Sequence, residues 1–341
     1  MIWGLLAVAM AGTPDEIHLA LATELATQQV PGVSVAVVVD GEMVLADAVG
    51  VSDRDAGTPV TVDTRFGIGS IGKTATATVV GQLVGEGLLS YEDTLGQHIP
   101  EVGGTYAAVT LHELLSHMSG VPRDFKSGDS FTGPKLYRKV RKSSPDFAHG
   151  GGWSYSNTGF ILLGEVIERV TGLTLADAVR RRIVEPAGMA NTVVVEPGDD
   201  PERAVAYEGV EGPGARMFPM RFGAGNLVTT AVDLARYDMA LSSGTLLSVA
   251  AQQEQWTPGG PTVEIGLPTG ETFIVGRCWW VGEFSGHRTV GHSGSIDGYN
   301  AVIERFVDDG VSFVVLTNAE YSNLTPFLDI LRGHYLPGSG G

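Results

Sequence analysis

Two pairs of β-branched runs, one at each end of the chain, constrain the fold more than anything between them. Val33–Val39 and Met43–Val49 are joined by Asp40-Gly41, and Asn300–Val307 and Val311–Leu316 flank Asp309-Gly310. Asp-Gly between such runs signals a hairpin, because the tight turn needs positive φ values that these residues reach at low cost. Asp15–Gln29 reads as an amphipathic helix before the first hairpin, and Leu324–Tyr335 as a closing helix after the last. Helical patterns fill the interval at Ile71–Glu86, Phe160–Val170, Leu175–Val184 and Val232–Ser242. Strands, then helices, then strands predict an α/β (α+β) chain. Its antiparallel sheet is built from both chain ends and flanked by helices, with a mostly helical domain inserted. The expected division is residues 15–66 with 272–337 for the sheet and 67–271 for the helical domain. Pro197–Arg216 and Thr257–Gly270, rich in Gly and Pro, read as loops.

Composition narrows the functional classes. A chain of 341 residues with 43% hydrophobic content can bury a large core in one or two domains. A formal charge of -17 argues against nucleic acid and anionic membrane surfaces as partners. The single Cys278 excludes an internal disulfide and a cysteine metal cluster, and reads as a core residue. No apolar stretch is long enough to span a bilayer. Ile2–Ala11 is short and apolar, and Ala9-Met10-Ala11 resembles an A-x-A cleavage site, yet the first basic residue is Arg54. Residues 1–14 therefore read as a signal peptide, implying a periplasmic or secreted protein, or as an apolar arm of a cytoplasmic one. The expected partner is a small-molecule or peptide substrate, and nothing in the sequence sets the oligomeric state.

Gly67–Thr74 reads GIGSIGKT and fits two unrelated motifs. As G-x-x-x-x-G-K-[ST] it is a phosphate-binding loop with Lys73 on the phosphates and Thr74 on magnesium. As S-x-x-K it places a nucleophilic Ser70 beside Lys73. A phosphate loop follows a buried, apolar parallel strand. Thr61–Phe66 carries two charges and no aliphatic run, so the second reading is preferred. Ser70 is then expected at the start of the helix, where serine is a favoured cap, with Lys73 on the same face of the first turn. The positive helix end favours a developing oxyanion, and desolvation would lower the lysine pKa towards a useful base.

Two further clusters stand downstream: Tyr155-x-Asn157 and His292-Ser293-Gly294. S-x-x-K, Y-x-N and [KH]-[ST]-G in this order resemble the class C β-lactamase and serine DD-peptidase family, which includes D-aminopeptidases. Leu114–Gly120 resembles that family's L-L-x-H-x-S-G turn, Pro186-Ala187-Gly188-Met189 its P-L-G-M helix ending with Ala187 for Leu, and Gly223–Leu227 its G-x-G-x-L segment. The likeness runs from about Asp15 to Tyr335 and implies a β-lactamase/transpeptidase-like fold with the site between two domains.

Other motifs fail. His112 and His117 lie five apart, splayed by roughly 140° on a helix, so they are no zincin pair and suit a local turn better. Gly223-Ala224-Gly225 lacks the third glycine of a dinucleotide loop, and Ile68 rules out a G-x-S-x-G elbow. No metal and no cofactor are expected.

The resemblance implies a Ser70 acyl-enzyme, with general acid–base work shared by Lys73 and Tyr155, whose phenolate Lys73 would favour. Asn157 is the implied ligand of the substrate amide and of Lys73, and the oxyanion donors are the N–H groups of Ser70 and Ser295 beside Ser293 and Gly294. His292 stands where β-lactamases carry lysine, and is expected to assist proton delivery or to orient Tyr155, and to titrate near neutrality. This departure points to a peptidase of the DD-carboxypeptidase/D-aminopeptidase type, acting on small or D-amino-acid-containing peptides. A promiscuous carboxylesterase, a class C-like β-lactamase and a non-hydrolytic penicillin sensor are the alternatives. A carboxypeptidase needs a cation for the terminal carboxylate, and Arg277 and Arg288 are candidates.

Overall fold

The computed structural model describes residues 13–125, 132–196, 202–210, 212, 222–257 and 273–336. Ile2–Ala11, half of the expected loop Pro197–Arg216 and all but Thr257 of the expected loop Thr257–Gly270 lie outside them. The helices are α1 Pro14–Gln28, α2 Gly72–Gly85, α3 Leu95–His98, α4 Leu111–Leu115, α5 Gly133–Lys142, α6 Asn157–Thr171, α7 Leu175–Val179, α8 Ala231–Ser242, α9 Val249–Trp256 and α10 Thr325–Tyr335. The strands are β1 Gly32–Val39, β2 Glu42–Asp53, β3 Thr58–Pro59, β4 Phe66–Gly67, β5 Val193–Val194, β6 Leu227–Thr229, β7 Ile274–Val275, β8 Trp280–Phe284, β9 His287–Ile296, β10 Tyr299–Phe306 and β11 Val311–Thr317.

Both hairpins form, and they meet. The large sheet runs β3-β2-β1-β11-β10-β9-β8-β7, so the two chain ends are neighbours at its middle. Val35 pairs with Val315 on one side and Asp47 on the other, all antiparallel. The β-branched run of β1 is buried on both faces because the sheet is covered on both. Val33, Val35 and Val37 pack with Ile17 and Leu21 of α1 and Phe327 and Leu331 of α10. Ala36 and Val38 face the other way, into a core with Leu234 and Ala235 of α8.

Consecutive residues of β10 fasten the two layers. Glu304 accepts a hydrogen bond from Arg332 Nε of α10 at 2.9 Å, and Arg305 on the opposite face pairs with Asp238 of α8. All four side chains are buried. Removing one partner of such a pair costs about 3–5 kcal/mol by stranding the other charge.

Two expectations shift locally, and one holds. The helix after Ser70 begins at Gly72, with Ile71 as its N-cap, and Ser70 sits before it in a 3₁₀ turn, Gly69–Ile71. Ser70 is therefore not the cap: Gly69 enters the turn at φ 49°, a left-handed conformation, and the tighter turn carries the serine clear of the helix end. Leu175–Val184 splits into α7 and one π turn, Arg180–Val184. The strand before the GIGSIGKT segment is the two-residue β4, antiparallel to β6. A phosphate loop has no such support, which removes the structural basis for that reading.

Candidate active site

Lys73 follows Ser70 by one turn, so its side chain reaches back along the helix face. It is wholly buried, and Nζ lies 3.0 Å from Ser70 Oγ. The amino group also donates to the carbonyl oxygen of Ala224 at 2.6 Å. It sits over the rings of Tyr155 and Phe160, 5.0 and 5.7 Å from their centroids, where π faces favour positive charge. The glycines around Ala224 make this approach possible. A Cβ at Gly223 would stand 2.5 Å from the Phe160 carbonyl oxygen, and one at Gly225 2.8 Å from that of Gly69.

Tyr155 precedes Ser156, which caps α6 by accepting from the Gly159 N–H. The phenol shares a hydrogen bond with Ser70, but burial pushes its pKa up. The phenolate expected beside Lys73 is thus not favoured: the cation lies over the ring face rather than at the oxygen, and desolvation dominates.

His117 is the group that sequence reasoning undervalued. It holds a left-handed φ of 61° just past Ser116, the C-cap of α4, the local turn role expected of it. Its buried ring also lies 4.3 Å from that of Tyr155, and its Nδ1 accepts the Ser156 N–H at 3.0 Å. Burial, then the charge of Lys73, holds its pKa well below the ordinary histidine value. The L-L-x-H-x-S-G likeness marked the residue; only the contact shows what it supports.

His292, Ser293, Gly294 and Ser295 belong to β9, which lies against the Ser70 turn. Gly294 is required there, since a Cβ would fall 1.9 Å from the Ile68 carbonyl oxygen. The backbone of Ser295 lies beside Gly69. His292 is buried, stacked on Trp280 at 4.6 Å, and donates from Nδ1 to the Ser293 carbonyl oxygen at 2.6 Å. Burial, then Lys73, lowers its pKa to about 3. The expectation that His292 titrates near neutrality is corrected: a ring buried from solvent with a cation nearby stays neutral.

Ser70, Arg123, Trp153, Ser154, Tyr155, Trp280, Ser293 and Ser295 line one cleft of about 510 Å³. The side-chain amide of Asn157 donates to the Asp124 carboxylate at 3.1 Å. Arg277 and Arg288 do not line the cleft. Arg277 stacks on Tyr91, and Arg288 makes a two-point pair with Asp308.

The model of the Beta-lactamase family matches residues 19–333. The chain belongs to the Beta-lactamase family. It is a serine hydrolase of that family. It is similar to "Penicillin-binding protein 4" of Amycolatopsis lactamdurans, 30% identical over 352 residues, covering 92% of this chain and 86% of the relative. It is also similar to "Penicillin-binding protein 4*" of Bacillus subtilis (strain 168), 28% identical over 308 residues, covering 82% of this chain but only 66% of the relative. The solved octameric penicillin-binding protein homologue from Pyrococcus abyssi superposes with a TM-score of 0.80 at 26% identity, over 93% of this chain and 76% of that one. The beta-lactamase match spans both hairpins and every segment that meets at Ser70. No helix among the described residues is long and apolar enough to cross a membrane.

Proposed function

We propose that this chain cleaves small or D-amino-acid-containing peptides through a Ser70 acyl-enzyme, as a peptidase of the DD-carboxypeptidase/D-aminopeptidase type. The observation that carries the reading is Lys73 Nζ at 3.0 Å from Ser70 Oγ in one site with Tyr155. That is hydrogen-bond reach for proton transfer from an attacking hydroxyl. Tyr155 holds its proton at neutral pH, which leaves Lys73 as the base that takes the proton from Ser70. Tyr155, beside Ser70 in the cleft, relays a proton to the leaving group and regains one from Lys73, and water then hydrolyses the acyl-enzyme. The N–H groups of Ser70 and Ser295 receive the oxyanion. His292, neutral and buried, brings no charge to a position where a lysine would bring one. That separates the site from the lysine-bearing β-lactamases and supports a peptide as the substrate.

A fluorescent penicillin or a fluorophosphonate tests the proposal. Mass spectrometry is expected to place the adduct on Ser70, with the label lost on incubation. Ser70→Ala abolishes both labelling and hydrolysis while retaining the fold. An adduct on Ser116 or Ser293 overturns the assignment. A permanent penicillin adduct makes the chain a receptor rather than a hydrolase.

A further inference from the structure

Among the described residues the cleft has one charged lining side chain, and sequence analysis did not single it out. Of the eight described residues that line it, Arg123 alone carries a charge; the rest are two tryptophans, a tyrosine and serines. The Arg123 backbone is fixed, because its carbonyl accepts from the Thr158 N–H at 3.1 Å and the Thr158 hydroxyl at 3.2 Å. Its guanidinium lies 5.3 Å from the centroid of the Tyr155 ring, a stacking distance that holds the planar group against the cleft wall. The side chain remains 66% exposed.

Its charge is not used up within the fold. Among the described residues its ion-pair partner is Asp124, at a long 3.6 Å through Nε. Both carboxylate oxygens of Asp124 accept instead from Asn157 Nδ2, at 3.1 and 3.2 Å, which draws the acid towards α6. Among the described residues the terminal nitrogens of Arg123 make no hydrogen bond or ion pair, so this cleft-lining side chain keeps a forked donor of the kind that matches a carboxylate. On a chain of formal charge -17, Arg123 at the cleft wall, with Lys73 beneath Ser70, is a local reversal of sign.

We infer that Arg123 is a specificity-determining residue that selects substrates bearing a carboxylate, bound against the Tyr155 wall. The inference rests on the Ser70 acyl-transfer reading and names the substrate class for it. The carboxylate belongs either to the acyl part of the substrate or to its leaving group, and the same guanidinium chemistry serves both.

Three matched thioesters distinguish these cases: neutral pentanoyl methylthioester, pentanoyl thioglycolate with the carboxylate on the leaving thiol, and glutaryl methylthioester with it on the acyl chain. Wild type is expected to favour at least one anionic thioester over the neutral one by about 10- to 100-fold in kcat/KM. The preference should shrink as salt rises, because the guanidinium is exposed. Arg123→Gln is expected to bring the anionic-to-neutral ratio to within about threefold of one, and Arg123→Lys to retain part of it. Which anionic thioester is favoured assigns the side. A wild-type ratio near one for both, or a preference that survives Arg123→Gln, overturns the inference while leaving the acyl-enzyme intact. Failure of all three thioesters, or turnover undiminished in Ser70→Ala, overturns the acyl-transfer reading itself and the inference with it.

Discussion

Lys73 and Ala224, 151 residues apart in sequence, share a 2.6 Å hydrogen bond from the lysine Nζ to the alanine carbonyl oxygen. The bond fixes the amino group within reach of Ser70 Oγ, and it depends on two glycines that allow the backbones to touch.

Gly225→Ala is accordingly expected to cripple the site without unfolding the chain. The new methyl meets the Gly69 carbonyl oxygen at 2.8 Å and pushes the Ser70 turn away from Lys73. A displacement near 1 Å costs about 10²-fold in kcat/KM, and the overpacking roughly 1–3 kcal/mol of stability. Kinetics and urea denaturation measure both; activity within threefold of wild type would show that the close approach is dispensable.

His117→Ala should lower Tm and kcat together. It strands the Ser156 N–H and empties the space under Tyr155, for a loss of roughly 3 kcal/mol. His117→Asn is the discriminating variant, since asparagine tolerates the left-handed backbone and its carbonyl can replace Nδ1. Recovery of kcat in His117→Asn but not His117→Ala identifies a positioning role for the acceptor. Equal losses in both would assign the effect to the ring contact alone.

The buried histidines set the acid limit of stability rather than of catalysis. The folded pKa of His292, about 3, is below the ordinary value, so the unfolded chain binds more protons in the window between them. Stability therefore falls as pH drops below about 6.5, by roughly 1.4 kcal/mol per unit from this ring, or about 2 kcal/mol at pH 5. His117, shifted in the same direction, adds to the slope. Comparing urea unfolding of wild type and His292→Gln at pH 7.5 and pH 5 isolates the ring, and parallel pH dependence in the two would contradict its burial in the neutral form. The kcat/KM profile should show no inflection at 6.5 that disappears in His292→Gln.

The acyl-transfer reading asks nothing of a metal or a nucleotide. Activity is expected to survive EDTA, and ATP with magnesium to leave Tm unchanged. A rise of several degrees with ATP would restore the phosphate-loop reading of Gly67–Thr74.

The sequence by itself determined the frame. Asp40-Gly41 and Asp309-Gly310 made both hairpins legible, because a tight turn between β-branched runs is a local property. The spacing of Ser70 and Lys73 was legible for the same reason: three residues on a helical turn bring side chains together whatever surrounds them. What the sequence could not decide was every quantity set by distant neighbours. Only packing showed that Ser70 lies ahead of the helix in its own turn, that burial keeps the Tyr155 phenol and the His292 ring neutral, and that Arg277 and Arg288 are spent elsewhere while Arg123 lines the cleft. Desolvation and ion pairing depend on the shell around a group, and that shell is assembled here from segments up to 225 residues apart, as from Ser70 to Ser295.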